Sequence, residues 1–268
     1  MTDKKKFIIG SRGSKLSLAY STHVKNLIIK FNSQLNDNLI DIRIIKTSGD
    51  IFQNKRISDI GGKGVFCKQI EEELLESKID LAVHSLKDLP TIMTEGLCVN
   101  AVVKRNDPRD AFLSHSNKSF NQLKPLSKIG TSSFRREAQL NLLRNDIKVI
   151  GMRGNIDTRI EKLYKGEYDC IILAKAGLER LKILDEHTYE EMKWITASGQ
   201  GTLAIEYADY DLEEIPGLNM QLTYDENFYH RCHSLINADR FVLDKINADC
   251  NSAVSIQTRI QEGSPYTS

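Results

Sequence analysis

The feature that most constrains the fold is a regular alternation between short apolar segments and segments whose apolar residues recur with helical spacing. Residues 7–10 are a short apolar run, and Val24, Leu27, Ile28 and Phe31 then follow mostly helical spacing. A similar succession returns after the charged stretch at 105–109. Alternation of this kind is typical of α/β domains, in which helices link parallel strands.

The same pattern predicts the individual elements. The predicted strands cover residues 7–10, 40–44, 81–83, 97–103, 148–150 and 170–173. The predicted helices cover residues 16–31, 66–74, 133–144 and 156–164, with a helical turn at 177–181. Residues 106–109 contain Pro108 among charges and are a candidate hinge. Near Asp225 the pattern changes to one long amphipathic helix, which a β-like stretch at 253–256 follows.

Composition excludes several classes of protein. The 37 Lys and Arg residues balance 36 Asp and Glu residues, so no bulk charge favours nucleic acid or a membrane surface. No apolar run approaches the roughly 20 residues that span a bilayer. Five cysteines without paired spacing argue against both a disulfide framework and a zinc site, and no other metal is expected. We expect a cytoplasmic protein without a secretory signal.

The segment AVHSLKDLPT, residues 82–91, begins as an apolar strand and becomes polar at His84 and Ser85. Lys87 and Asp88 follow side by side, before Pro90 ends the segment. Open α/β sheets bind ligands at the carboxyl ends of their strands. This strand end is therefore a candidate catalytic site, although a lone Lys-Asp pair is more often a solvated turn.

Arginines recur where a predicted strand passes into a predicted helix. They are Arg12, Arg135, Arg136, Arg153 and Arg159. A cation in the first turn of a helix opposes the helix dipole, unless a bound anion shares the guanidinium and the free N–H groups. Ser132, Ser133 and Asn155 could cap these helices, and Lys63 in the loop GGKG lies near another helix start. The pattern predicts a ligand with several carboxylates or phosphates; the alternative is that these arginines pair with surface Asp and Glu.

Seven consecutive blocks of the sequence resemble the porphobilinogen deaminases, a family also called hydroxymethylbilane synthases. The blocks are SRGSKLSLA (11–19), GGKGVFCKQIE (61–71), AVHSLKDLPT (82–91), RNDPRDAFLS (105–114), GTSSFRREAQL (130–140), RGNIDTRIEKL (153–163) and YDCIILAKAGLERL (168–181). The segment SGQGTLAIE (198–206) and the helical region before Cys250 continue the resemblance more weakly.

The resemblance implies a reaction and a cofactor. The family joins four porphobilinogen molecules head to tail, with loss of ammonia at each step, on a dipyrromethane cofactor held by a cysteine thioether. It implies catalytic roles for Asp88 and Lys87, and Cys250 as the attachment point of the cofactor. The remaining residues implied to bind cofactor and intermediates are Arg12, Ser14, Lys63, Ser132, Ser133, Arg135, Arg136, Arg153, Arg159 and Gln200.

Three departures from the family pattern bear on this expectation. Ala248 and Asp249 replace the two glycines usual before the cofactor cysteine, and Asp249 should raise the pKa of the neighbouring thiol. Residues 196–198, Thr-Ala-Ser, replace the usual proline and valine. Only 18 residues follow Cys250, so the third domain is expected to be either minimal or truncated.

The resemblance implies an α/β fold with two periplasmic-binding-protein-like lobes, mixed and mainly parallel sheets, and a small α+β third domain. Domain 1 would comprise residues 1–104 and 201–222, domain 2 residues 105–200, and domain 3 residues 223–268. We expect a monomer that acts on porphobilinogen without binding nucleic acid or membrane. Two alternatives stay open: a pure anion-binding module, and a degenerate deaminase that keeps the fold without turnover.

Overall fold

The computed structural model describes residues 6–51, 67–101, 103–208, 226–248, 252–261 and 264–267. The first part of the chain folds into strands β1 (Phe7–Ser11), β2 (Ile40–Ile44), β3 (Leu81–Ser85) and β4 (Leu97–Ala101), with helices α1 (Lys15–Phe31), α2 (Ser48–Ile51) and α3 (Lys68–Leu75). The second part contains β5 (Asp110–Ser114), β6 (Lys128–Gly130), β7 (Lys148–Ile150), β8 (Cys170–Ala174) and β9 (Tyr189–Met192), with α4 (Phe134–Leu143), α5 (Ile156–Tyr164) and α6 (Lys175–Arg180). Strand β10 (Leu203–Ala208), helix α7 (Glu226–Lys245) and strands β11 (Thr258–Gln261) and β12 (Ser264–Thr267) complete the described elements.

The two five-stranded sheets have the same topology, although their strands carry different numbers. The sheet of lobe 1 runs β2-β1-β3-β10-β4, and the sheet of lobe 2 runs β7-β6-β8-β5-β9. In lobe 1, β1 lies parallel to β2 and β3, whereas β10 lies antiparallel to β3 and β4. In lobe 2, β6 is parallel to β7 and β8, and β5 is antiparallel to β8 and β9. The prediction of a two-lobed α/β chain with mixed sheets is confirmed.

Each lobe has its own apolar core beneath a helix. In lobe 1, Val24 and Ile28 of α1 pack with Ile9 and Leu81 of the central strands, and all four are essentially inaccessible to solvent. Ser14 caps α1 by accepting a hydrogen bond from the backbone N–H of Ser17 at 3.1 Å. The apolar stripe and the cap together explain why a helix begins directly after β1.

The chain crosses between the lobes twice, and the two crossings lie side by side. The Asn106 N–H donates to the carbonyl of Gly201 at 3.0 Å, and Arg105 Nε donates to the carbonyl of Gln200 at 2.8 Å. The candidate hinge at 106–109 therefore lies beside the return segment. The domain boundaries at 104, 200 and 222 stay a prediction, and residue 222 falls outside the described residues.

The third region joins lobe 1 through α7. Ile236 of α7 is buried in a cluster with Cys67, Leu86, Leu89 and Ala204. The β-like stretch expected at 253–256 was wrong, because the strand β11 begins at Thr258 and pairs with β12 in an antiparallel hairpin. An alternating pattern forms a strand only where a second strand lies beside it. Here the second strand, β12, pairs with residues 258–261 and not with residues 253–256. No helix in the described part of the chain is long and apolar enough to cross a membrane.

Candidate active site

A cleft between the two lobes collects most of the predicted site residues. The predicted residues that line it are Arg12, Ser14, Lys87, Asp88, Ser132, Arg153 and Arg159. Arg12, Ser14, Lys87 and Asp88 come from lobe 1, and the other three come from lobe 2. Lys63 and Cys250 lie outside the described residues, so their predicted roles stay predictions. Gln200, Ser133, Arg135 and Arg136 lie behind the lining residues.

The tip that carries Lys87 and Asp88 is a single helical turn at the end of β3. Residues Leu86–Asp88 form this 3-10 turn, which the Leu86 N–H fixes to the carbonyl of Thr202 at 3.1 Å. The side chain of Leu86 is buried, whereas Asp88 is exposed to the cleft. The turn thus uses one apolar anchor to present a carboxylate that solvent and ligand can reach.

Lys87 points toward the other lobe. Its Nζ donates to Oε1 of Gln200 at 3.1 Å. Burial lowers the pKa of Lys87 to about 8; the attraction of Asp88 offsets part of this, and the nearby charge of Arg136 adds to it. An ammonium group with so low a pKa is poorly solvated, and an anionic ligand would restore the stabilisation that water no longer provides.

On the lobe 2 side, two loops meet through Ser132. Its hydroxyl donates to the Met152 carbonyl at 2.7 Å and lies 2.9 Å from the Met152 N–H. Behind these loops, Nε of Arg159 donates to the carbonyl of Gly154 at 2.7 Å. Burial lowers the pKa of Arg159 to about 10, and repulsion from Arg136 adds to the shift. Arg159 therefore holds a desolvated positive charge at the start of α5.

Arg135 and Arg136 converge on one buried carboxylate, Asp110. Arg136 donates through Nη2 at 2.6 Å and Nε at 3.2 Å, and Arg135 donates through Nη2 at 3.1 Å. The indole N–H of Trp194 adds a hydrogen bond at 2.9 Å. Burial of Asp110 opposes ionisation, yet the two guanidinium groups hold its pKa well below the ordinary value. The expected ligand contacts of Arg135 and Arg136 stay a prediction; in this structure these arginines pair with a carboxylate.

Gln200 connects the two halves of the site. Its amide nitrogen donates to the Pro108 carbonyl at 2.6 Å and to Asp110 Oδ1 at 2.8 Å, while its oxygen accepts from Lys87. The flanking Gly199 and Gly201 have φ angles of +70° and +87°, a backbone conformation that residues with a side chain rarely adopt. These two glycines allow the tight path that buries Gln200 between the lobes.

The structure adds Arg180 and Tyr20, which sequence reasoning missed. Both line the cleft, and the guanidinium carbon of Arg180 lies 5.3 Å from the centre of the Tyr20 ring. Nη2 of Arg180 is buried and has no hydrogen-bond partner among the described residues. The sequence signal for Arg180 is that it lies in α6, the helix that follows β8 directly. A helix that begins at a strand end lies at the edge of the sheet where ligands bind.

A family model matches residues 7–215, and its description is porphobilinogen deaminase, dipyromethane cofactor binding domain. The match covers more than half of the chain and includes both lobes. The chain belongs to the porphobilinogen deaminase family.

Relatives agree along nearly the whole chain. The porphobilinogen deaminase of Sulfurimonas denitrificans is 39% identical over 264 residues, a match that covers 96% of this chain and 80% of that protein. That of Ehrlichia canis is 41% identical over 252 residues, covering 92% and 80% respectively. That of Bacillus cereus is 39% identical over 269 residues, covering 96% and 82%.

Solved structures with weaker likeness include two binding proteins. One is an arginine transport system periplasmic binding protein from Legionella pneumophila, with a TM-score of 0.46 and 14% identity over 86% of this chain and 98% of that chain. The other is the effector binding domain of BenM with benzoate, with the same TM-score and identity over 86% and 92%.

The cleft of this porphobilinogen deaminase family member fits the cofactor that the family model names. A dipyrromethane carries acetate and propionate groups, and the lining supplies the desolvated cations Lys87 and Arg159 together with the unsatisfied Nη2 of Arg180. Carboxylates are the natural partners of such guanidinium groups. Ala248 is buried, but Asp249 and Cys250 lie outside the described residues, so the effect of Asp249 on the thiol stays a prediction.

Proposed function

We propose that this protein is a porphobilinogen deaminase that joins four porphobilinogen molecules into hydroxymethylbilane and releases ammonia at each step. The proposal places it among the transferases of tetrapyrrole synthesis, as a cytoplasmic monomer. The observation that carries it is the cleft itself, in which the exposed carboxylate of Asp88, at the end of β3, faces cationic side chains from both lobes. A binding module for a simple anion has no need of a carboxylate in such a wall.

The cation wall would bind the side chains of substrate and growing product. Each porphobilinogen adds an acetate and a propionate, so the bound chain gains negative charge at every step. Each charge-assisted contact contributes about 1.5–3 kcal/mol. The proposed binding residues in the cleft are Arg12, Ser14, Ser132, Arg153, Arg159 and Arg180, with Lys63 from the part outside the described residues.

Asp88 would act on the reacting atoms. Loss of ammonia from porphobilinogen leaves a cationic azafulvene, and a fixed carboxylate nearby stabilises that charge as it develops. The same carboxylate can move the proton that the new pyrrole–pyrrole bond displaces. Lys87 places a positive charge beside Asp88, which an anionic substrate side chain can contact. The bound dipyrromethane, attached to Cys250 in this proposal, supplies the pyrrole carbon to which the first substrate unit is joined.

Replacing Asp88 by Asn tests the catalytic assignment. We expect turnover of porphobilinogen to fall on the order of 10² to 10⁴-fold, because the amide carries no charge to stabilise the cation. The fold should survive, because Asp88 is exposed. The measurement is the appearance of uroporphyrin-type absorbance, with circular dichroism as the control for folding. Turnover close to that of the unsubstituted protein would contradict the role of Asp88.

Intact mass tests the cofactor assignment. The isolated protein should carry a mass excess equal to two porphobilinogen units less two ammonia molecules, one lost in joining the units and one lost in forming the thioether. Peptide mapping should place this mass on Cys250, and Cys250→Ser should lose both the adduct and the activity. An active protein with an unmodified Cys250 would overturn the anchor. An unmodified, inactive protein that still binds porphobilinogen would favour a degenerate deaminase.

A further inference from the structure

Two neighbouring residues of α7, Asp239 and Arg240, link the third region to two distant parts of the active site. Arg240 reaches the segment that follows the catalytic turn of lobe 1. Asp239 reaches Ser198, which lies two residues before Gln200 in the return crossing. Helix α7 therefore contacts both the tip that carries Asp88 and the segment between the lobes.

Arg240 donates from Nη2 to two backbone carbonyls, and the same nitrogen lies 3.5 Å from Sδ of Met93. Nη2 donates to the carbonyl of Pro90 at 2.6 Å and to that of Thr91 at 3.2 Å. No other described residue donates to either carbonyl. Burial lowers the pKa of Arg240, and the carboxylate of Glu206 offsets part of that effect. A guanidinium half enclosed by protein in this way has little freedom to leave its two acceptors.

The segment that Arg240 contacts follows the turn Leu86–Asp88, and the buried Leu89 lies between them. The Leu89 N–H donates to the Leu86 carbonyl at 3.2 Å, and Pro90 has no N–H to donate. The turn is thus anchored at one end by β3, and the segment after it is held by the buried Leu89 and by Arg240. Movement of the 90–91 backbone would displace Asp88, because only one residue separates it from Pro90.

Asp239 fixes the position of α7 next to Arg240. Its Oδ1 accepts hydrogen bonds from the Thr258 N–H and hydroxyl, each at 2.7 Å, and Oδ2 lies 3.3 Å from the Ser198 hydroxyl. Asp239 is only 4% exposed. Helix α7 is therefore fixed to β11 and to the crossing segment through Asp239, the residue next to Arg240.

We propose that Arg240 is a positioning residue for Asp88, and that α7 uses it to set the position of the catalytic turn from the third region. The proposal rests on the catalytic role proposed for Asp88. Positioning of this kind acts on the chemical step: a displacement of about 1 Å at a reacting group can cost on the order of 100-fold in rate.

The test compares Arg240→Met and Arg240→Lys with the unsubstituted protein. Arg240→Met removes both hydrogen bonds and should lower kcat by about 10- to 100-fold, while KM changes by less than about threefold. Arg240→Lys keeps one donor to the same carbonyls and should recover part of kcat. Arg43→Met is the matched control, because Arg43 Nη1 also donates to a backbone carbonyl, that of Lys78 at 2.7 Å, at an exposed site on lobe 1.

Hydrogen exchange of the ligand-free protein gives a second readout that needs no turnover. Peptides covering residues 86–94 should exchange faster in Arg240→Met than in Arg43→Met, while peptides of α1 should be unchanged. Unaltered exchange at 86–94, or equal effects of Arg240→Met and Arg240→Lys on kcat, would overturn the proposal. If the unsubstituted protein has no activity, the proposed function fails, and the exchange measurement alone decides whether Arg240 fixes the turn.

Discussion

Lobe 2 contains two arginine sites of similar sequence and different surroundings. Arg135 and Arg136 lie in the first turn of α4, and Arg159 lies in the first turn of α5. Arg136 contacts the buried carboxylate of Asp110, whereas Arg159 contacts the backbone carbonyl of Gly154 and has no carboxylate within ion-pair distance among the described residues. The same local motif therefore provides a structural ion pair in one loop and a charge that remains available to a ligand in the next.

The difference originates in strand β5. Asp110 is its first residue, and its side chain is inaccessible to solvent at the centre of lobe 2. A buried carboxylate needs paired cations, because an unpaired buried charge costs several kcal/mol. Arg135 and Arg136 meet that need, and Gln200 links the same carboxylate to Lys87. The ion pair is thus a structural centre that is linked through Gln200 to the turn of Lys87 and Asp88, and the arginine of α5 is not part of it.

The largest expected effect is that of Asp110→Asn. Loss of the carboxylate leaves two buried guanidinium groups without their charge partner, and we expect unfolding free energy to fall by about 3–5 kcal/mol. Urea denaturation monitored by circular dichroism measures this. Because its pKa is depressed, Asp110 stabilises the fold above its unfolded-state pKa near 4, and this contribution is lost as pH falls through the folded-state pKa. The variant should therefore also show a weaker acid dependence; unchanged stability would remove the distinction between the two sites.

Arg159→Met tests the second of the two arginine sites, that of α5. We expect stability to change by less than about 1 kcal/mol, because the buried charge already lacks a carboxylate partner. Binding of cofactor or intermediates should weaken by about 1.5–3 kcal/mol, or roughly 10- to 150-fold. Mass spectrometry of the enzyme after limited porphobilinogen should then show stalled species. Arg136→Met is the matched control and should mainly destabilise the protein; if both variants lose stability equally, the two arginines have the same role.

Sequence reasoning located the turn of Lys87 and Asp88 and the arginine-bearing loops because each depends on a local pattern at the end of a strand. It did not predict β5 or β10 as strands. All six residues of β10 are buried, so its sequence lacks the alternation that identifies a half-exposed strand. The partner of Arg136 was missed for the same reason, because Asp110 opens an unpredicted strand 26 residues earlier. Pairing of distant residues across a sheet is a property of the tertiary structure that local patterns do not encode.

The cleft residues show the same limit. Arg12, Ser14 and Asp88 were predicted, and the structure places all three on the cleft. Tyr20 and Arg180 were not, since their proximity requires α1 of lobe 1 to approach α6 of lobe 2. The relative position of the lobes depends on two crossings and on Gln200, and no spacing within either helix predicts it.

The smallest expected effect concerns the pH dependence that Lys87 confers. Burial lowers its pKa to about 8 in the folded protein, against an ordinary value of 10.5, so the unfolded chain binds more protons between these values. The burial cost is therefore present at neutral pH, and stability should rise as pH increases through this window.

Function should change in the opposite direction, because only the protonated form of Lys87 attracts an anionic substrate. We expect kcat/KM for porphobilinogen to fall about tenfold per pH unit above 8. Lys87→Arg keeps its charge and should move this decline to higher pH, even if its absolute activity is lower. The comparison of the two profiles cancels any titration of the substrate itself. A decline at the same pH in both proteins would show that another group controls it.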